Sequence, residues 1–218
     1  MTVDTAEYCI HTVLAVPKGW RAVGAAAAKS LDARFGEAGG ALYGAWRSQI
    51  GRPRDEVNLI SRWPDGAPDD VSAILTSALP PFRSIESRSM RPTVRPFDGA
   101  PPRRQGNFAF RWFTLDEARF EEFLELCVGA WPGFESAYDS QIIGLWRLES
   151  DRAGMADALL LTRRPDLAMW ERSKLPANPA EAEVRRKLSR RYDLCDDTHV
   201  FTTTLLTAGD RVDEARWT

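Results

Sequence analysis

Two histidines and a twice-used tryptophan–arginine pair are the residues of this sequence best suited to chemistry. His11 sits in the run Tyr8-Cys9-Ile10-His11-Thr12-Val13-Leu14, whose alternation predicts a strand with Cys9, His11 and Val13 on one face. An imidazole titrates near neutral pH, so a strand histidine facing a pocket could act as a general base. With no activating partner visible beside it, the plainer reading is a half-buried histidine hydrogen-bonded to a neighbour. His199 follows Asp196-Asp197-Thr198. Asp197 and His199 fall on one strand face and could orient each other, or Asp196-Asp197 could simply be the turn before the strand. A metal centre needs a third ligand, and none stands at recognisable spacing, so no metal is expected.

Trp46-Arg47 recurs as Trp146-Arg147. In a strand the two side chains of each pair point to opposite faces. Arg47 and Arg147 could then bind a carboxylate or enolate, with the tryptophans walling a pocket. The structural alternative, a core tryptophan beside a salt-bridged arginine, is favoured because both copies keep the pair. Arg111 and Trp112, with Asn107, are further candidates for lining a pocket. No glycine-rich phosphate loop and no Gly-x-Ser-x-Gly elbow occurs, so neither nucleotide use nor serine hydrolysis is indicated, and no cofactor is expected.

The elements that must position these residues come in two sets. Gly44-Ala45-Trp46-Arg47 returns as Gly144-Leu145-Trp146-Arg147, and Arg62-Trp63-Pro64-Asp65 as Arg163-Arg164-Pro165-Asp166. The run from Tyr8 lines up with Phe108-Ala109-Phe110-Arg111-Trp112-Phe113-Thr114, so the chain is a tandem repeat. The first copy reads as a strand over 8–16, then a helix with Trp20, Val23, Ala27, Leu31 and Phe35 on one stripe. Hairpin strands over 41–49 and 56–63, a short helix over 70–78 and a strand over 85–90 follow. In the second copy Thr114-Leu115-Asp116-Glu117 reads as a capping box, and 142–149 and 157–163 as the hairpin. Asn178-Pro179-Ala180-Glu181 opens an extra helix, and His199–Leu205 is the closing strand.

Strand-helix-strand-strand-helix-strand is the ferredoxin-like order, so the fold class is α+β with two such units in tandem. The expected boundaries are 1–97, a Pro-rich linker over 98–106, and 107–218; prolines 92, 96, 101 and 102 suit an extended stretch over 91–105. Phe108, Phe110 and Trp112 alternate with Arg111 and Phe113, giving a sheet apolar on both faces. Such a sheet needs a second one to cover it, which predicts an intrachain α+β barrel with one pocket per copy between sheet and helices.

The bulk figures exclude several partners. Net charge is −2, hydrophobic residues make up 44% and charged residues 28%, as in an ordinary globular protein. Residues 1–104 carry +3 and residues 105–218 carry −5, opposite signs that could help the halves dock, while the lack of a basic total and of aromatics interleaved with the basic runs argues against nucleic acid. The runs around Arg83–Arg104 and Arg185–Arg191 read as solvated faces, with Val184 and Leu188 turned inward. Cys9, Cys127 and Cys195 form no Cys-x-x-Cys, which suits a reducing cytoplasm. The acidic start, Met1–Glu7, has no signal-peptide pattern, and no apolar run approaches the ~20 residues that span a bilayer, so no membrane association is expected.

Gly44-Ala45-Trp46-Arg47-Ser48-Gln49-Ile50-Gly51, followed by Asp55-Glu56-Val57 and a strand ending Arg62-Trp63, resembles the NIPSNAP family. That resemblance implies the dimeric α+β barrel superfamily, whose members pair two ferredoxin-like sheets face to face. Where the family strand often carries His and Trp, this chain has Leu59 and Ser61, and in the second copy Leu160 and Thr162, so no catalytic residue carries over. The resemblance implies a protein that binds a small, partly hydrophobic ligand or a partner. The superfamily also holds cofactor-independent monooxygenases and isomerases acting on aromatic or polyketide-like substrates. In that alternative His11 or His199 is the base, and Arg47 or Arg147 stabilises the anion. A scaffolding role and a homodimer formed through an edge strand stay open. If there is a site, one working pocket and one mainly structural copy are expected.

Overall fold

The computed structural model describes residues 7–96, 98–148 and 152–210; Met1–Ala6 and Glu149 lie outside them. The fold is α+β, with antiparallel strands, and its residues divide into two units. The first unit holds 7–92, 98–105 and 201–210, and the second holds 93–96, 106–148 and 152–200.

In the first unit β1 (Tyr8–Ala15) is flanked by β3 (Glu56–Trp63) and β4 (Ser84–Arg95), and β2 (Ala41–Ile50) lies outside β3. The order β4-β1-β3-β2 is the ferredoxin-like one. Residues 201–205 of β8 (Cys195–Leu205) add a strand on β2. The first helical segment runs from α1 (Trp20–Ala26) through a π-helical turn, Ala27–Leu31, into α2 (Asp32–Glu37). The stripe Trp20, Val23, Ala27, Leu31, Phe35 is at most 3% exposed throughout. Its repeated four-residue step would drift by about 40° per step on an ideal helix, and the wider π turn absorbs the drift. Helix α3 (Val71–Ala78) is capped by Asp70, whose carboxylate accepts the Ala73 N–H at 3.1 Å.

The second unit repeats the order. β5 (Asn107–Asp116) lies between β8 and β7 (Met155–Arg164), and β6 (Gln141–Leu148) lies outside β7 with residues 93–95 of β4 beside it. Helix α4 (Phe120–Tyr138) packs its Phe120, Phe123, Leu124 and Cys127 stripe on the sheet. A short α5 (Leu167–Arg172) precedes α6 (Pro179–Asp193).

Four readings of the sequence are corrected here. Thr114 does not cap a helix: β5 continues to Asp116, paired with Met155, and Thr114 donates to Asp157 at 2.6 Å. Asp116 is the cap, accepting from the Ala118 N–H at 2.8 Å. The stretch after Arg91 is strand, not linker, as far as Arg95; Thr93 donates to the Leu145 carbonyl at 2.7 Å, and Arg95 forms a two-pronged pair with Glu135. Asp196 and Asp197 belong to β8, held to β5 by Thr198 donating to the Trp112 carbonyl at 2.8 Å. Finally, α6 is the unit's own second helix, lying on α4 through Lys187 to the Gly129 carbonyl and Arg190 to Glu122. The added element is α5. The cap of α6 is as expected, with Asn178 accepting the Glu181 N–H at 2.9 Å.

The repeated Gly-x-Trp has a packing cause. Residues two apart share a strand face, and each tryptophan folds its ring back over the glycine. A Cβ added at Gly44 would lie 2.4 Å from the Trp46 ring, and one at Gly144 2.3 Å from that of Trp146. The same β-bulge precedes each glycine, between Leu42 and Gly44 and between Ile142 and Gly144. Both indoles are 0% exposed and have nowhere to move. Gly44→Ala and Gly144→Ala should therefore each cost about 2 kcal/mol, within the range for overpacked cores. Urea denaturation midpoints check this, and an unchanged midpoint would sink the account.

Candidate functional site

The pocket of the second unit grows from the register of β5. Arg111, Phe113 and Leu115 point to the helices, whereas Phe108, Phe110 and Trp112 point away from them. Between this face and α4, α5 and α6 lies a cavity of about 430 Å³. Apolar and aromatic side chains wall it: Phe113, Trp131, Phe134, Leu160, Trp170 and Leu188. Three arginines from three elements enter it, Arg111 from β5, Arg164 from β7 and Arg191 from α6.

Their environment is that of cations lacking anions. Arg164 is 9% exposed and Arg191 8%. Arg164 lies between two aromatic faces, 4.7 Å from the Trp170 ring centroid and 5.1 Å from that of Phe134. Arg191 stands 4.8 Å from the Phe113 ring, with Nη1 3.6 Å from Cys127 Sγ. Ring faces attract a guanidinium but accept no conventional hydrogen bond. Among the described residues none of the three arginines has a carboxylate partner, and the Nε of Arg164 and of Arg191 is buried without an acceptor. Burial, with the charge of Arg191 and then of Arg185, pulls Arg111 down to about 10. Burial, with Arg111 and Arg191, does the same to Arg164. At neutral pH both remain cations.

The first unit shows what this position holds when there is no charge. The ladders equate β7 with β3, so Arg164 occupies the place of Trp63. Trp63 is 1% exposed, meets the Phe35 ring edge-on at 5.4 Å, and donates from Nε1 to Ser61 Oγ at 2.9 Å. Arg164 keeps the same anchor, donating from Nη1 to Thr162 Oγ1 at 3.1 Å, two residues back on the strand. One fold position thus holds a core indole in the first unit and a buried guanidinium in the second.

The residues singled out from the sequence scatter. Arg111 lines the pocket. Trp112 is on the opposite face, stacked at 6.0 Å on His199. His199 is exposed, with Nδ1 4.0 Å from Asp197 Oδ2, and no group of three His, Cys, Asp or Glu able to hold a metal occurs among the described residues. His11 is 3% exposed, and its Nε2 lies 3.0 Å from Asn58 Oδ1. Neither histidine lines the pocket. Trp46 and Trp146 are core residues. Arg47 lies 4.4 Å over the Trp20 ring, and its counterpart Arg147 lies 5.0 Å over Phe120 while pairing with Glu117 at 2.6 Å. Each clamps its strand to the first helix of its unit. Asn107 is buried at the start of β5, outside the pocket lining.

Sequence reasoning missed Arg164 and Arg191. Arg191 stands on the stripe of Glu181, Val184 and Leu188 along α6, so its inward aspect was visible in the spacing. The basic run on α6 is thus not wholly a solvated face: Arg191 is inside and Arg185 lines the cavity mouth.

No protein family's sequence profile and no curated protein matches this chain. Solved structures do resemble it in fold. A candidate monooxygenase from Lactobacillus acidophilus NCFM superposes with a TM-score of 0.56 at 12% identity, covering 92% of this chain and 94% of that one. An anthrone oxidase-like protein gives 0.54 at 11% identity over 94% and 93%. A variant of the chlorite dismutase from Candidatus Nitrospira defluvii gives 0.54 at 8% identity over 93% and 92%. At such identities the likeness establishes the shared ferredoxin-like α+β fold alone. No helix among the described residues is long and apolar enough to cross a membrane.

Proposed function

We propose that the second unit binds a small organic anion with an apolar body, and that the first unit is mainly structural. The observation that carries this reading is that Arg164 stands at the fold position of Trp63, beside Arg111 and Arg191, none of the three paired with a carboxylate among the described residues. Buried charges are costly unless paired, so an unpaired cluster implies a partner that arrives with the ligand. A cavity of about 430 Å³ suits a ligand of one to three fused rings, within the range of ordinary ligand sites. The NIPSNAP-like motif over Gly44–Gly51 supports the finer assignment to that branch as a ligand-binding protein, and three free cysteines support a cytoplasmic setting.

The alternative is a cofactor-independent oxygenase or isomerase. It draws on the same arginines, as stabilisers of a phenolate or enolate, and on the monooxygenase-type fold neighbours. Neither of its candidate bases, His11 and His199, lies in the lining, and the carboxylate described there, Asp193, is exposed, so binding is the stronger reading.

Calorimetric titration tests it. 1-Naphthoate or 1-naphthyl phosphate should bind at least tenfold more tightly than neutral 1-naphthol, and Arg164→Trp should abolish that preference while changing stability by less than about 1 kcal/mol, because the first unit already packs an indole there. If neither anion binds more tightly than 1-naphthol, the reading fails.

A further inference from the structure

The charge of the lining describes the head group more closely than its sign alone. Arg111, Arg164 and Arg191 stand in it together with Lys174 and Arg185, and Asp193 is the one carboxylate among its described residues.

A carboxylate brings one charge and two acceptor oxygens. A phosphate monoester brings nearly two charges at neutral pH and three terminal oxygens, each able to accept from a guanidinium. One charge leaves most of the repulsion among the three guanidiniums standing, and two remove much of it. Resting on the anion-binding reading, we infer that the head group is a phosphate-monoester-type dianion carried on an aromatic-sized apolar body. Arg164 and Arg191 hold it as fixed, ring-stacked cations.

Matched probes separate this inference from the reading beneath it. At constant ionic strength and pH 7.5, 1-naphthyl phosphate should bind at least tenfold more tightly than 1-naphthoate. The advantage should shrink as pH falls below about 6, where the phosphate takes up its second proton. If 1-naphthoate binds as tightly as 1-naphthyl phosphate, the dianion inference is overturned while anion binding stands. If both bind no better than 1-naphthol, both are overturned.

Discussion

Trp63→Arg is expected to unfold the first unit, although its mirror image, Arg164→Trp, is tolerated. Trp63 is 1% exposed, and its indole closes the core against Phe35. Removing an indole from such a site costs about 3–5 kcal/mol before anything replaces it. A guanidinium placed there would also be desolvated among the apolar side chains of that core. The total approaches the whole stability of a typical domain, about 5 kcal/mol or more. Trp63→Phe, which deletes the N–H donated to Ser61 and part of the ring, should cost only about 2 kcal/mol, so a graded result remains if the arginine variant cannot be purified. Urea denaturation reads both. A loss below about 2 kcal/mol for Trp63→Arg would mean that the two positions are not equivalent, and the inference drawn from that equivalence would go with it.

That equivalence also explains what the sequence could and could not tell. Gly-x-Trp-Arg was legible because packing demands it: the ring needs the glycine, and the arginine needs an aromatic on the first helix. The helical stripe from Trp20 to Phe35 was legible because five buried positions recur on one face. Strand register was not. Matching Tyr8 to Phe108 sets His11 opposite Arg111, yet the ladders equate Thr12 with Arg111 and His11 with Phe110. A slip of one residue exchanges the faces, so an alignment read from the sequence inverted the relation between the candidate base and the pocket.

The site was harder to see than the fold for a related reason. Arg111 was named on its alternation with aromatics, and it does line the cavity. Arg164 was hidden inside a repeat anchor, where Arg163-Arg164-Pro165-Asp166 was matched to Arg62-Trp63-Pro64-Asp65 for its likeness. The difference within the match, Trp to Arg, is the feature on which the proposed anion site rests. Arg191 was hidden by its neighbours on α6, because four other cations nearby are solvated or paired. A charge run reveals its odd member only when each residue is placed on the helical wheel.

His11, which is not in the pocket lining, has a measurable consequence in stability. Burial, outweighing the bond to Asn58 and helped by Arg88 and Arg52, lowers its pKa from 6.5 to about 4. The native state therefore keeps the ring neutral while the unfolded chain protonates it near 6.5. As pH falls from about 6.5 to about 4 the unfolded state binds a proton that the native state does not, so stability falls with acidification across that window. Above the window the contribution is fully present, and below it the loss is complete. The shift amounts to about 3 kcal/mol at 1.36 kcal/mol per unit. His11→Gln keeps a donor for Asn58 and has nothing to titrate, so between pH 7 and pH 4 it should lose about 3 kcal/mol less stability than the parent chain. The carboxylates that titrate in the same range are common to both proteins and cancel in the comparison. Parallel urea denaturation curves at pH 7, 5.5 and 4 provide the measurement. A parent–variant difference that stays constant across the three would show that the ring is not held neutral, because a buried imidazole that resists protonation cannot leave the pH slope unchanged.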